Sequence, residues 1–299
     1  MDSPVRRPDA TLRERLRALY PGASGRRLKE WLAGGRVRVD GRVVRRGDVT
    51  VGSDPRVELG RPAIAVPAPL RLVHEDDDLV VIDKPAGLLT IATDRERART
   101  AYHLLRGWSE ARGEGRIFVV HRLDRETSGL LVFARSAVVK RALQAQFEAR
   151  TAERVYVALV EGLVRAPDGE LAGRLVEDTA LRVRLSRAHP RGKVAISRYR
   201  VVERYRDATL LEVRLVTGRR GQIRAQLAAL GHPIVGDRGY GSRRDPLRRV
   251  CLHATRLGFV HPDGRRLAFE SPAPAGFRRP AGAPLRSPAA RAGWRPGTS

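Results

Sequence analysis

A series of short apolar stretches in the centre of the chain limits its possible folds, because none is long enough for an ordinary amphipathic helix. Two other stretches have helical features: Ser136 can cap a helix that extends to Arg150, and a helix over residues 221–230 would end at Gly231. Since the predicted strands outnumber the helices and do not alternate with them, the pattern predicts an α+β fold rather than a doubly wound sheet. The predicted strands are residues 79–82, 117–120, 130–134, 155–160, 197–202 and 209–216.

A small unit of helices and short strands is predicted before these stretches. Leu12, Leu16 and Leu19 lie at helical spacing, and Ser24 can cap a second helix that ends at the pair Gly34-Gly35. Short strands then follow on either side of a tight turn. They are predicted at residues 37–39 and 43–44, with the turn at Asp40-Gly41, and a closing strand at residues 57–59.

Changes in composition along the chain predict its domain boundaries. Residues 61–69 hold three prolines, which is typical of a linker. From Pro272 onward the chain is rich in Pro, Ala, Gly and Arg, which predicts disorder. The predicted segments are a flexible N-terminus at 1–10, a small domain at 11–60, the linker at 61–69, a large domain at 70–271 and a disordered basic tail at 272–299.

The chain has a formal net charge of +25, and its basic residues are almost all arginine. Positive charge spread along a whole chain is typical of proteins that bind a long polyanion, and the arginine guanidinium both forks onto phosphate and stacks on bases. The alternative interpretation is a GC-rich genome that replaces lysine by arginine on an ordinary solvated surface. The only lysines are Lys29, Lys84, Lys140 and Lys193.

Cysteine content and hydropathy limit the cellular compartments in which such a protein is expected. Cys251 is the only cysteine, which excludes an internal disulfide and a cysteine-rich zinc site. The first residues lack the apolar stretch of a signal peptide, and no apolar run approaches the roughly 18 residues needed to span a bilayer. We therefore expect a soluble, cytoplasmic protein without membrane contact.

Residues 119–136, VVHRLDRETSGLLVFARS, predict a strand, a short polar loop and a second strand. Asp124 lies on this loop, so two core elements would hold it rigidly while leaving it accessible. Considered alone, an aspartate between Arg122 and Arg125 is more often a structural ion-pair partner than a catalytic group.

The part of this segment that reads HRLDRETSGLLVFA closely resembles the signature of the RluA family of RNA pseudouridine synthases. Four further segments are similar to motifs of that family and occur in the same order, over roughly residues 70–271. Five motifs in order are far more specific than one, and the resemblance implies a catalytic domain with a mixed, largely antiparallel sheet. The four segments are 82–88 (IDKPAGL), 153–158 (ERVYVA), 217–224 (TGRRGQIR) and a C-terminal motif formed by His253-Ala254 and His261-Pro262.

The resemblance implies that Asp124 is the catalytic aspartate, that Tyr156 packs on the target base and that Arg224 pairs with the aspartate. Arg122 would fill the RNA stack after the target uridine has flipped out. Pseudouridine formation breaks the N1–C1′ bond, rotates the uracil and rejoins it through C5, so no redox cofactor, metal or ATP is required. An ionised carboxylate in a dry site can act as nucleophile or base, and attack on the base, attack on the sugar and removal of a sugar proton all stay open.

One position departs from the family pattern, because Gly221 stands where the family usually has histidine. We interpret that histidine as structural, since the reaction already has its acid and base, so its loss would affect packing or substrate choice. Two other kinds of site are rejected. The segment Asp83-Lys84-Pro85 lacks the preceding glycine-rich loop of a phosphate-binding P-loop. No close pair at metal-ligand spacing exists among His121, His232, His253 and His261.

Residues 28–41, LKEWLAGGRVRVDG, are similar to the small RNA-binding domain named after ribosomal protein S4. The resemblance implies a small N-terminal α/β RNA-binding domain whose phosphate contacts position the enzyme rather than select bases. A generic helix–strand unit is the alternative. The residues expected to contact phosphates are Arg26, Arg27, Lys29, Arg36 and Arg38.

By family association, the expected substrate is ribosomal RNA of the large subunit, with transfer RNA as the alternative, and the expected state is a monomer. Two other functions stay open at this stage. One is a non-catalytic RNA-binding factor of ribosome assembly that has kept the fold, which conversion of uridine in RNA by purified protein would exclude. The other is a DNA-binding protein that uses its arginines generically, which competition between RNA and DNA would test.

Overall fold

The computed structural model describes residues 10–52, 55–60, 64–93, 99–177, 183–186, 192–278 and 284–285. The chain divides into two compact units. One contains the described residues up to Ala65 together with Trp108–Glu114, and the other contains Val66–Gly107 and the described residues from Gly115 onward.

The small unit begins with a well-capped helix. The Thr11 hydroxyl accepts the Glu14 N–H at 3.3 Å, and the Glu14 carboxylate accepts the Thr11 N–H at 2.9 Å, which together form a capping box. Ser24 caps the second helix as predicted, by accepting the Arg27 N–H at 3.3 Å. The unit's elements are β1 (Ala10–Thr11), α1 (Leu12–Leu19), α2 (Gly25–Ala33), β2 (Val37–Val39), β3 (Arg42–Val43), β4 (Thr50–Val51) and β5 (Val57–Leu59).

Burial in the small unit follows the predicted helical spacing with one exception. Leu12 and Leu16 are fully buried and pack with Leu28 and Trp31, whereas Leu19 is 48% exposed. The predicted turn at Asp40-Gly41 is confirmed, with positive φ angles of 49° and 79°. β1 pairs with β4, and β3, β2 and β5 form a three-stranded antiparallel sheet.

The large unit is built on one extended sheet with helices beside it. Its predicted strands are confirmed, with bounds that differ by a few residues. The elements are β6 (Arg71–Glu75), β7 (Leu79–Lys84), α3 (Ala101–Ala111), β8 (Phe118–Val119), β9 (Ser128–Ala134), α4 (Ala137–Glu148), β10 (Glu153–Glu161), β11 (Asp168–Glu177), β12 (Val183–Ser186), β13 (Lys193–Tyr205), β14 (Ala208–Leu215), α5 (Gln222–Ala229), β15 (Leu252–Val260), β16 (Arg266–Glu270) and β17 (Pro284–Leu285).

The sheet order is β12-β11-β13-β14-β10-β15-β9-β7-β6, and β8, β16 and β17 pair with β9, β15 and β13. Among the described strands, β9 and β15 form the one parallel pair, and the other neighbours are antiparallel. The α+β class and the mixed, largely antiparallel sheet are therefore confirmed. No helix in the described part of the chain is both long and apolar enough to cross a bilayer.

The densest part of the core lies where β7 and β9 meet α4 and β15. Every residue of β9 is buried, and Leu79, Val81, Leu130 and Phe259 are at most 1% exposed. Full burial of such side chains stabilises the fold by about 1.5–3 kcal/mol each. This core encloses both ends of the polar loop between β8 and β9, since Val120 at its start is also buried.

The predicted disordered tail starts too early. Ala275–Arg278 form a short 3-10 helix, and the Phe277 ring is fully buried, with the Arg249 guanidinium 5.2 Å from its centre. One aromatic side chain in a Pro/Ala/Gly/Arg-rich segment is enough to fix it to the core, and average composition does not reveal this. The rest of the tail, apart from β17, lies outside the described residues, as do residues 1–9 of the predicted flexible N-terminus.

Candidate active site

The loop that carries Asp124 is held by the segment at residues 84–90. The Thr90 hydroxyl donates to the Leu123 carbonyl at 2.9 Å and accepts the Leu123 N–H at 3.1 Å. On the other side of Asp124, the Arg125 carbonyl accepts the Gly87 N–H at 2.8 Å and the Lys84 ammonium at 3.4 Å. Residues 84–90, which include the end of the DKPxG-like segment and Thr90, thus fix both neighbours of Asp124.

Lys84 is fully buried, and its ammonium also donates to the carbonyls of Pro85 at 2.9 Å and Leu88 at 2.7 Å. Burial lowers the pKa of Lys84 to about 7, while the charges of Asp124 and Glu126 act in the opposite direction. Its three N–H donors all bind backbone carbonyls, so Lys84 stabilises the loop that carries Asp124.

Asp124 lies in a cleft of about 430 Å³, and 19% of its side chain is exposed. The cleft is rich in arginine, and its acidic members are Asp124 and Glu148. A cleft of this charge favours a negatively charged ligand. It is lined by Val120, His121, Arg122, Asp124, Gln144, Phe147, Glu148, Arg150, Arg154, Tyr156, Thr217, Gly218, Arg219 and Arg220.

The structure brings Arg224 to Asp124, as the resemblance implies, but the pair is long. Nη1 of Arg224 lies 3.8 Å from Asp124 Oδ2 and only 2.8 Å from Glu126 Oε2. On its other edge, the guanidinium binds Asp237 through two bonds, from Nε at 2.7 Å and from Nη2 at 2.8 Å. Arg224 therefore has three carboxylate neighbours, of which sequence reasoning named only one.

Asp237 is the member of this group that anchors the arginine. Its side chain is 1% exposed, and the Arg224 side chain is 13% exposed, so both charges are largely removed from water. The Tyr240 ring also covers the guanidinium, whose carbon lies 4.8 Å from the ring centre. Asp237 directly precedes the short 3-10 helix Arg238–Tyr240, and no pattern in the single sequence identifies Asp237 or Tyr240.

Burial raises the pKa of Asp124 above the ordinary aspartate value. The charge of Arg224 lowers this pKa, that of Glu126 raises it, and the Gly221 N–H, at the start of α5, lowers it through a hydrogen bond to the carboxylate. A carboxylate with a raised pKa that still has donors beside it is more basic than a solvated one, which suits a nucleophile or base.

The departure from the family pattern at Gly221 has a local explanation. Gly221 is left-handed, with φ of 60°, and a Cβ there would lie 2.7 Å from the Tyr240 hydroxyl oxygen. Tyr240 thus occupies space that a larger side chain at position 221 would need, while the backbone N–H that binds Asp124 is retained. The prediction that this exchange concerns packing agrees with this geometry.

Tyr156 lies on β10 beside Asp124 and is 7% exposed. Burial raises its pKa to about 12, the charge of Arg154 acts to lower it, and that of Asp124 acts to raise it further. The phenol is therefore neutral near pH 7 and can donate a hydrogen bond but cannot act as a base. Its ring presents a flat apolar surface in the lining of the cleft.

His121 forms part of the cleft wall and is neutral, because burial lowers its pKa to about 3. The Val132 N–H donates to its Nε2 at 3.3 Å, so the ring proton is on Nδ1, and the ring stacks on Phe147 at 4.6 Å. Two of the other three candidate histidines have structural hydrogen bonds: His232 Nδ1 bonds to the Glu161 carbonyl, and His253 Nδ1 to the Ser128 hydroxyl, both at 2.8 Å. The third, His261, lies with its Nδ1 2.9 Å from Asp263 Oδ1.

The five residues expected to contact RNA phosphates lie within the small unit. Arg26 on α2 pairs with Glu30 at 3.0 Å, and Arg36 donates to the Gly60 carbonyl at 3.0 Å and lies 5.5 Å from the Trp31 ring. Arg38 on β2 donates to the Gly41 carbonyl at 3.3 Å. Arg27 and Lys29 are exposed on α2, and Arg122 is exposed at the cleft of the large unit.

Comparison with known proteins identifies the family of this chain. The sequence profile of the RNA pseudouridylate synthase family matches residues 78–229, which include Asp124, Tyr156 and Arg224. This chain belongs to the RNA pseudouridylate synthase family. It is of the RluA type, and it is an isomerase that converts uridine to pseudouridine in RNA. The non-catalytic and DNA-binding alternatives are thereby set aside.

Similar members of the family come from several bacteria. The protein named ribosomal large subunit pseudouridine synthase D of Pseudomonas aeruginosa is 36% identical over 280 residues, which is 87% of this chain and 87% of that protein. The protein of the same name from Xanthomonas campestris is 38% identical over 309 residues, with coverage of 96% and 91%. A solved structure of human RNA pseudouridylate synthase domain containing 1 has the same fold, with a TM-score of 0.62 at 22% identity over 74% of this chain and 91% of that one.

Proposed function

We propose that this pseudouridine synthase modifies ribosomal RNA of the large subunit, with the Asp124 carboxylate as its catalytic group. The observation that carries the proposal is the position of Asp124, which is a largely buried carboxylate, 19% exposed, between the Arg224 guanidinium and the Gly221 N–H in an arginine-lined cleft. The names of the relatives, which refer to the large ribosomal subunit, support this choice of RNA.

The residues around Asp124 each support one part of the reaction. The buried Tyr156 ring would face the uracil while it is detached from the ribose and turns to present C5. The charge of Arg224 would favour the ionised form of Asp124 against the effect of burial. Arg122, exposed on the same loop, would stack in the place that the flipped uridine leaves.

The small unit would act as an S4-like RNA-binding domain that holds long RNA by its phosphates. The exposed cations on α2 and the strand arginine Arg38 support this assignment. In this proposal the enzyme acts as a cytoplasmic monomer, and transfer RNA is the alternative substrate.

Mapping of pseudouridines in cells tests the proposal. RNA would be compared from cells with the gene, without it, and with the gene restored as wild type or as Asp124→Asn. We expect at least one pseudouridine in large-subunit ribosomal RNA to disappear on deletion and to return with the wild-type gene alone. A change confined to transfer RNA would refute the substrate, and return of the signal with Asp124→Asn would refute the catalytic residue.

A further inference from the structure

Arg154 is a buried cation in the cleft wall with few partners. It is 7% exposed, its Nε has no hydrogen-bond partner, and its Nη2 donates to the Val216 carbonyl at 3.3 Å. No carboxylate among the described residues forms an ion pair with it; burial lowers its pKa, and the ionisable neighbour that acts to raise this pKa is Tyr156, whose phenol is neutral near pH 7. Since the removal of an unpaired charge from water is costly, a structural role alone does not explain this arginine.

The position of Arg154 relates it to the target base rather than to the outer surface. Arg154 and Tyr156 are two residues apart on β10, so both side chains lie on the same face, about 6.6 Å apart along the strand. Both line the cleft that contains Asp124. The Phe147 ring covers the guanidinium at 5.4 Å.

Gly218 leaves room for the guanidinium in the cleft wall. A Cβ at position 218 would overlap Arg154 Nη1, so the absence of a side chain there keeps the arginine donors at the cleft. Arg154 therefore has a donor without a partner, low solvent exposure and close packing against Phe147 and Gly218, which suit a site for an anion.

We propose that Arg154 binds a backbone phosphodiester next to the target nucleotide. This rests on the function proposed above, because it places the uracil on Tyr156. The distance of about 6.6 Å between alternate residues on one face of a strand is comparable to the separation between a nucleobase and its own phosphate. The guanidinium fork matches two phosphate oxygens, and the phosphodiester supplies the negative charge that the protein does not supply.

The effect of Arg154 on stability should differ in sign from its effect on RNA binding and conversion. A structural arginine would lose stability when replaced, whereas a charge retained for a ligand costs stability while the ligand is absent. We expect Arg154→Gln to melt at the same temperature as the wild type or higher, and to bind and convert RNA less well. Arg154→Lys keeps the charge and should recover part of the activity, while Arg150→Gln, at the exposed edge of the same cleft, is the matched control.

Substrates with a single neutral methylphosphonate, placed either 5′ or 3′ of the target uridine, test the contact directly. For one of the two positions, wild type should lose roughly 10- to 100-fold in kcat/KM, which is typical of a lost charge-assisted hydrogen bond. Arg154→Gln should lose a similar factor on the unmodified RNA and little more with the methylphosphonate. The position that shows this non-additivity identifies which phosphate is bound. Independent, multiplied losses at both positions would overturn the proposal.

A second measurement does not depend on the proposed function. Inorganic phosphate should raise the melting temperature of the wild type and of Arg150→Gln, relative to chloride at equal ionic strength, and should not raise that of Arg154→Gln. If wild type converts no uridine in any RNA, the proposed function fails and the phosphate measurement alone decides the anion site. An equal rise for all three proteins would then overturn it.

Discussion

The pair formed by Arg224 and Asp237 should be the most costly ion pair to break among those at the candidate site. Asp237→Asn removes the negative charge and leaves one acceptor oxygen for two guanidinium donors that now lie at 2.7 and 2.8 Å. The side chains are 13% and 1% exposed, so water cannot replace the lost carboxylate. Loss of one partner of a buried pair costs about 3–5 kcal/mol.

We expect the lower end of that range, about 3 kcal/mol, because the asparagine oxygen and Glu126 still accept hydrogen bonds from Arg224. For a unit of this size the melting temperature should fall by roughly 6–12 °C. Turnover should also fall, since the guanidinium that faces Asp124 loses its bidentate anchor.

Thermal melting and denaturant titration of the two proteins measure the stability difference. The matched control is Glu170→Gln, which removes a carboxylate that binds Arg198 at 3.0 Å but is 46% exposed, with an arginine that is 62% exposed. That exposed pair should contribute at most about 1 kcal/mol. If Asp237→Asn is no less stable than Glu170→Gln, the assignment of Asp237 as the anchor of the site is wrong.

Three further predictions concern the pH profile, the RNA stack and the small unit. Because the charge of Glu126 raises the pKa of Asp124, Glu126→Gln should lower that pKa and keep kcat/KM high to lower pH than in the wild type; a pH profile shifted upward would contradict this. Arg122→Ala should slow single-turnover conversion of a folded stem-loop, and Arg122→Lys should restore little, since an ammonium cannot stack; near-complete rescue by lysine would reject stacking. Replacing Arg26, Arg27 and Lys29 together by glutamine should flatten the slope of log affinity against log salt by up to about 0.9 per lost phosphate contact, and an unchanged slope would show that α2 does not touch RNA.

The strands of the core could be predicted because their side chains are apolar on both faces. Residues 130–134, all buried in β9, form such a run. β11 was not predicted, because Gly169, Gly173 and its charged residues have low strand propensity, and it is held by pairing with β13 over eight positions. β9 pairs in parallel with β15, which is far away in the sequence. This pairing depends on the tertiary structure, and local sequence patterns do not predict it.

Helix α3 was also missed, although a signal for it exists. Ala101, Leu105 and Trp108 lie at helical spacing and are buried in the structure. The arginine-rich residues before the helix and Gly107 within it obscure that pattern.

At the candidate site, too, the sequence predicted the residues of local motifs but not the contacts between distant segments. Motif resemblance located Asp124, Tyr156 and Arg224: Asp124 and Tyr156 line the arginine-rich cleft, and all three line a small adjoining cavity of about 50 Å³. It did not reveal that Glu126 is closer to Arg224 than Asp124 is, or that Asp237 anchors the arginine. Sequence proximity instead suggested Arg122 and Arg125 as ion-pair partners of Asp124. Pairs formed across loops depend on how the loops are packed, and a single sequence does not record this.

Single-turnover conversion by Asp124→Asn tests the central claim most directly. The amide has nearly the same shape as the carboxylate but can act neither as nucleophile nor as base, so fold and RNA affinity should be retained. The measurement follows pseudouridine formation in the RNA identified by mapping, with enzyme in excess, for wild type and Asp124→Asn at equal RNA occupancy. The account predicts product with wild type and none above background with the variant. Product from Asp124→Asn at a measurable fraction of the wild-type rate would contradict it.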